Sequence, residues 1–423
     1  MKPIRFISAV LVLICICSLS GHAQGEAAVP FLLFSPSAEA NGMGGTTMAI
    51  PRFDPTASVF CPAQVGISAL TTNVRLGFYP THSGLPAGYA LQDMSYTAWA
   101  ASAGVLLNDF VDLPFRVGIG LAYHRVDEDL GTFTLTGSSG PVPIGTFEAH
   151  ENASGIVIGV GIEYLLRLGF GYTFRSVESH LSPVGTEQES GNGEASGNVN
   201  DYSFLLDAPL VSIVEEIAGA RLLSSETVQP FLDLAGGLGW NNVGDKLVYV
   251  DPAQADPFPR TARTGIALRG GVRIGRETDW EIISAAWSRE AEDLLVTKKQ
   301  NGTWEYQSGL GDIQFGENVI QGRSNDDVTL RSGWQVQLGE IFTYRNGSVK
   351  AYNTYDTRGY TVQLAGFLKG ITGMLGREAP EWLTFARDHV DMQYHSADYK
   401  AQPEGTNLTS YSGVTILLHG WLW

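Results

Sequence analysis

Large apolar side chains recur at every second position in several stretches of the chain. In 115–123 the odd positions are Phe115, Val117, Ile119, Leu121 and Tyr123, with Arg116, Gly118, Gly120 and Ala122 between them. In 156–164 the even positions Ile156, Ile158, Val160, Ile162 and Tyr164 alternate with Val157, Gly159, Gly161 and Glu163. Leu166, Leu168, Phe170, Tyr172 and Phe174 then alternate with Arg167, Gly169, Gly171, Thr173 and Arg175. Weaker runs cover 228–240, 264–274, 334–344 and 360–364, with Asp233, Arg269, Arg273, Gln335, Gln337 and Gln363 on the opposite face. A period of two predicts strands with one greasy face and one small or charged face. About fourteen such strands are expected, joined by polar, turn-rich segments, of which 187–200 reads as a long external loop. Two stretches break the period. Leu210, Val211, Val214, Ile217 and Ala218 recur at helical spacing, as do Phe367, Leu368, Ile371, Met374 and Leu375. Pro380 suits the first turn of a further short helix carrying Trp382, Leu383 and Phe385. These helices are expected to pack on a barrel rim, a mobile gate being the alternative.

Alternation of this kind also fits a soluble sandwich, so the choice of solvent rests on other features. Aromatic residues (Tyr164, Phe174, Trp240, Tyr344) fall at the expected strand ends, where a membrane barrel carries its interfacial girdles. The sequence closes on Gly420-Trp421-Leu422-Trp423, an aromatic finish like that of many outer-membrane barrels. Only 17% of the 423 residues are charged, against about 25% in an average soluble domain. The expectation is an all-β fold, a transmembrane antiparallel barrel of about fourteen strands over 71–423, with one or two short helices.

Residues 1–23 read as a signal peptide: Lys2 and Arg5, an apolar stretch over 7–19, then Gly21-His22-Ala23. The apolar stretch is short of the roughly 20 residues that a permanent span needs. Processing at Ala23 removes both basic residues and leaves 25 basic against 44 acidic, a net charge of −19. It also removes Cys15 and Cys17, so Cys61 stands alone and no internal disulfide can form. An exported chain without disulfides relies on its core or on a bilayer.

Chemistry is scarce. His389, Asp391, Gln393 and His395 share one face of an expected strand and are proper metal-ligand types, but they lack a fixed cage spacing and read as a hydrated lumen wall. No nucleophile elbow, HExxH or phosphate-binding loop occurs. Cys61 reads as a small buried residue. The acidic balance argues against nucleic acid as a partner. Neither an enzyme, a metal nor a cofactor is expected.

Several ordered motifs resemble the PorV/PorQ family, relatives of the FadL-type transporters. They are Phe31-Leu32-Leu33-Phe34, then Ala40-Asn41-Gly42-Met43-Gly44-Gly45, then Asp54 and Cys61-Pro62-Ala63. Asn242-Val243-Gly244 resembles that family's Asn-Leu/Ile-Gly turn, and a segment with Pro259 and Gly265 resembles its later Leu-Pro and Arg-x-Gly segment. Cys61 stands where the family usually has Asn, and Asp207-Ala208-Pro209 where it has Asp-x-Gly. The resemblance implies a fourteen-stranded outer-membrane barrel whose residues 24–70 fold inward as a plug or hatch. Gly42, Gly44, Gly45, Asp54, Pro62 and Ala63 would form that plug, and the inward glycines 118, 120, 159, 161, 169 and 171 would make room for it. It implies a part in protein export of the type IX kind, with secreted cargo and translocon subunits as partners beside the membrane lipid. The alternative, through the FadL relationship, is passive uptake of hydrophobic small molecules. Export is the preferred reading at this point.

Overall fold

The computed structural model describes residues 27–420, apart from position 53, the segments 82–93, 137–142, 184–191, 276–279 and 402–406, and single positions or short stretches at 222, 226, 251, 253–254, 300–302, 326 and 352–353. The expected signal peptide with Ala23, part of the 187–200 segment and the terminal aromatics at 421 and 423 lie outside the described residues.

Fourteen antiparallel strands close into one barrel. In order round the wall they are β1 (Asn73–Thr81), β2 (Ser95–Leu106), β3 (Arg116–Thr136), β4 (Pro143–Glu163), β5 (Arg167–Ser182), β6 (Gly193–Pro209) and β7 (Val228–Gly244). After the short ribbon β8 (Lys246–Leu247) with β9 (Asp256–Pro257), the wall continues with β10 (Thr261–Ile274) and β11 (Trp280–Leu294). A second ribbon, β12 (Val296–Lys298) with β13 (Trp304–Tyr306), precedes β14 (Val328–Leu338), β15 (Phe342–Lys350), β16 (Thr354–Gln363), β17 (Val390–Ala401) and β18 (Asn407–His419). β18 pairs with β1 from Asn73↔His419 to Phe78↔Val414, which removes the open edges that a sheet would otherwise have to protect.

The wall is inside-out relative to a soluble protein. Ile119, Leu121, Ile156, Ile158, Phe170, Tyr172 and Phe174 are exposed outside, while Val157, Thr173 and Arg175 between them are buried. Rows of about half-exposed Ile, Leu and Phe would be costly in water but match acyl chains, so the fold is a transmembrane barrel. Rings pair along the outer surface, Trp99 with Tyr123 and Tyr202 with Trp240, each at 5.1 Å between centroids.

Two details differ from the sequence reading. Residues 193–200, expected in a loop, open β6, and outside residues there (Glu194, Ser196, Asn198) are polar or small. β3 and β4 run to 21 residues each, about twice the 9–11 that a bilayer requires, so the strands rise past the apolar belt into water and lose their greasy face. Phe174 consequently stands in mid-strand instead of at a strand end.

The connections sort by rim. One rim carries the tight turns 164–166 and 339–341 and the helices α3 (Leu210–Ala218), α4 (Leu364–Leu375) and α5 (Glu381–His389); these lie where helical spacing placed them, with Pro380 at the N-cap of α5. The opposite rim carries the connections 245–260 and 295–327, each with a two-stranded ribbon, the second being longer than any on the first rim. Two further short helices, α1 (Ala38–Asn41) and α2 (Ala63–Ser68), belong to the segment that precedes β1.

Candidate functional site

Residues 27–72 lie inside the ring of strands. Their partners come from round the whole wall: Gly77 of β1 beside Pro55, Gly120 of β3 beside Val65, Ser203 of β6 bonded to Ala63, Glu290 of β11 bonded to Thr47, and Thr357 of β16 bonded to Gly44. From Pro36 to Gly66 nearly every described residue is buried.

Backbone chemistry shapes this segment. The Ser37 Oγ accepts from Ala40 N and caps α1, and Asp54 accepts from Thr56 N to cap a short 3-10 turn over Pro55–Val59. Gly44 takes φ +71° and lies so close to β14 and β15 that a Cβ would come 2.7 Å from Ser332 O and 2.6 Å from Ser348 O. Any other residue would meet both backbone strain and a clash there. Gly42 and Gly45 abut Arg345 and Arg331. Pro62 precedes α2 without capping it, and Ala63 N donates instead to Ser203 Oγ at 2.8 Å. The wall thus supplies an acceptor for the first amide of α2, next to Cys61.

α2 rests on a floor of glycines. A side chain on Gly118, Gly120, Gly159, Gly161, Gly169 or Gly171 would run into Pro62, Ala63, Val65, Gly66, Ile67 or Ala69. The helix therefore approaches β3, β4 and β5 at backbone distance.

Beyond α2 the contacts are ionic. Glu39 of α1 pairs with Arg52 at 3.2 Å and with Arg345 of β15 at 3.1 Å, all three nearly or fully buried. Burial alone would raise the Glu39 carboxyl, but Arg345 and Arg52 hold it below its ordinary value. Glu290 Oε2 accepts from Thr47 N at 2.7 Å and Met48 N at 3.0 Å, and its other oxygen is 3.6 Å from Arg263. Arg263 also pairs with Glu292 and lies 4.0 Å over the Phe60 ring. Arg175 donates to Val59 O at 2.6 Å and pairs with Asp201 at 2.7 Å. Burial pushes the Cys61 thiol up to about 12.

Toward the rim with the long connections the lumen turns apolar. Val29, Phe31 and Leu32 are buried among inward-facing side chains of the wall that include Tyr79, Tyr96, Val126, Val177, Val199, Tyr399 and Tyr411. Tyr79 stacks on Tyr411 at 5.8 Å, Tyr399 meets Tyr411 edge-on at 5.4 Å, and Tyr96 donates to Phe34 O at 2.9 Å. The chamber is filled by the protein's own Phe31 and Leu32, and the gap left beside them is below the size of a small-molecule pocket.

The remaining sequence candidates fall elsewhere. Asn242 lies within β7 at a left-handed bulge, φ +56°, instead of in a turn; it donates through its backbone to Asp201 and through its side chain to Pro259 O, and accepts from Arg175. Gly244 ends β7 and Gly265 lies in β10. His389 belongs to α5 and bonds His419 O, so only Asp391, Gln393 and His395 share a strand face. That face is packed against protein and not open to water: Asp391 accepts from Gln363, Gln393 and Ala365 N, and His395 lies between Thr361 and Thr415. Among the described residues no group of three or more His, Cys, Asp or Glu is arranged to hold a metal ion. Sequence reasoning singled out none of Glu39, Arg52, Glu290 or the four chamber tyrosines, and met Arg263 only as part of the Arg-x-Gly segment that ends at Gly265. Arg263 continues the odd-numbered polar row of Arg269, which was the available signal.

No family model matches the chain, and no curated protein sequence matches it. Among solved structures it is similar to the monoaromatic hydrocarbon channel CymD, with 12% identity over 90% of this chain and 95% of that one and a TM-score of 0.38. The toluene transporter TodX of P. putida gives 11% identity, 90% and 96% coverage and a TM-score of 0.34. A FadL homologue of Pseudomonas aeruginosa gives 10% identity, 90% and 97% coverage and a TM-score of 0.36.

Proposed function

We propose that this is a non-enzymatic barrel of the bacterial outer membrane that admits hydrophobic small molecules, with residues 27–72 as its plug. The observation that carries this reading is the apolar, tyrosine-lined chamber inside the lumen, occupied by Phe31 and Leu32. An interior meant only for water and ions has no need of such a lining, because each buried aromatic or aliphatic side chain there is stabilised by contact with something apolar. A barrel that hands on secreted proteins needs instead an exposed docking surface at a rim, and the enclosed chamber supports uptake over the export reading preferred from the sequence.

The rim with the tight turns 164–166 and 339–341 is taken as periplasmic and the rim with the 245–260 and 295–327 connections as external. The chamber then lies on the outer side, where a hydrophobic compound would arrive, and the ionic belt and α2 lie below it. The Gly42-Gly44-Gly45 run, Asp54 and Pro62-Ala63 form the bends and caps that hold the plug, while Asn242, Gly244, Pro259 and Gly265 hold the wall behind it. Liposomes containing the processed protein and an internal pH dye provide the test. A long-chain fatty acid should enter faster than into protein-free liposomes. Equal rates, together with capture of secreted proteins from native outer membranes, would favour export.

A further inference from the structure

We propose that the α4–α5 hairpin lies in the periplasmic leaflet of the membrane, its exposed apolar face seated among phospholipid acyl chains just beneath the headgroups. The inference rests on the membrane barrel and, for the leaflet, on the rim orientation proposed above; it is independent of what passes through the lumen.

α4 is inside-out in the same sense as the strands. Its exposed large side chains are Phe367, Ile371, Met374 and Leu375, spaced i, i+4, i+7, i+8 on one face, with Met374 89% exposed. The side turned to the barrel is mostly small or polar: Ala365, Gly366 and Thr372 are buried, and Lys369 pairs with Glu340 at 2.6 Å. Leu368 is the one large apolar residue buried there. A helix covering a rim in water would show the reverse order, because about 25 cal/mol favours each Å² of apolar surface removed from water.

Position identifies the occupant as lipid. Gly366 abuts the Gly339–Glu340 turn that joins β14 to β15, and Gly370 lies near the Trp280 ring at the start of β11. The outer wall at that turn is Ile283, Leu338 and Phe342, all exposed and apolar. The greasy face of α4 therefore adjoins the lipid-facing belt. In α5, Trp382 is 69% exposed and Phe385 54%, while Glu381 and the Arg387–Asp388 pair supply charge, the mixture found in helices that lie at an interface.

A phosphatidylethanolamine with a photoactivatable acyl chain, mixed into vesicles holding the processed protein, tests the proposal by mass-spectrometric mapping of adducts. Adducts on residues 367–375 at a yield comparable to those on the wall residues Ile283, Leu338 and Phe342 are expected. A labelled wall with an unlabelled helix would overturn the proposal. The double variant Ile371→Asp with Met374→Asp should lose the helix adducts while keeping those of the wall, which also reports that the barrel has folded. Helix adducts unchanged in that variant would equally overturn it.

Discussion

Glu39 Oε1 lies 3.1 Å from Arg345 Nη2, a bond between the plug and the wall with neither partner open to solvent. Arg52 shares the same oxygen at 3.2 Å, so a single carboxylate bridges two buried guanidinium groups. Removing its charge takes the ion-pair partner from both, and breaking a comparable buried pair costs about 3–5 kcal/mol. Glu39→Gln should therefore lower thermal stability and raise single-channel conductance in planar bilayers; an unchanged conductance and melting temperature would show the bond to be idle. Because the Glu39 carboxyl sits below its ordinary 4.5 in the folded state, its contribution is complete above that value and is lost as the pH falls through the depressed one. Loss of the Glu39 bond should raise the conductance of the natural protein in that acid window.

The glycine floor gives a steric test. In Gly159→Val and Gly171→Val the new side chains have to displace α2 itself, since both positions face its backbone. Overpacking of this kind costs about 1–3 kcal/mol, and more where backbone must move. The expected sign is a plug cleaved sooner by added protease while the strands resist. A cleavage rate equal to that of the unaltered protein would place α2 elsewhere.

Cys61 reports on the same segment without any substitution. Its thiol is buried, 3.6 Å from Ser203 Oγ, and raised to about 12, so almost no thiolate is present near neutrality. Maleimide should leave the folded, processed protein unmodified and label it fully in denaturant. Rapid labelling of the folded form would mean that the plug is open.

Phe31 and Leu32 fill the chamber that a hydrophobic compound would use. Trimming both to Ala (Phe31→Ala with Leu32→Ala) empties it at a cost of several kcal/mol, since about 2–5 kcal/mol is usual for one such truncation. Faster entry of a long-chain fatty acid into liposomes is expected of the variant. Slower entry would imply that these side chains guide the compound instead of blocking it.

How much of this could be read in the sequence depended on distance along the chain. Ile156, Ile158 and Phe174 disclosed their strands and the outward face because a period of two is local. The glycines 118–171 were legible as a row lacking bulk, but α2, which fills the space, lies some fifty to a hundred residues away and its own spacing gave no sign of the match. Thr47 N and Glu290 are separated by 243 positions, so nothing in either neighbourhood announces the bond. The first eight residues of β6 were lost for a different reason: outside the bilayer the outward face carries Glu194, Ser196 and Asn198, while the inward positions Gly193, Ala195 and Gly197 are small, and the alternation that marks a strand disappears.

The orientation of the wall underlies everything else, and nitroxide accessibility measures it directly. With Cys61 replaced by Ala, a spin label is placed at Ile158→Cys, whose native side chain is 53% exposed, and in a second protein at its neighbour Val157→Cys, which is fully buried against the plug. In liposomes the label at 158 should collide freely with oxygen and hardly at all with a water-soluble nickel chelate, while the label at 157 meets neither. Strong collision with the nickel chelate at 158 would place that face in water and contradict the membrane barrel.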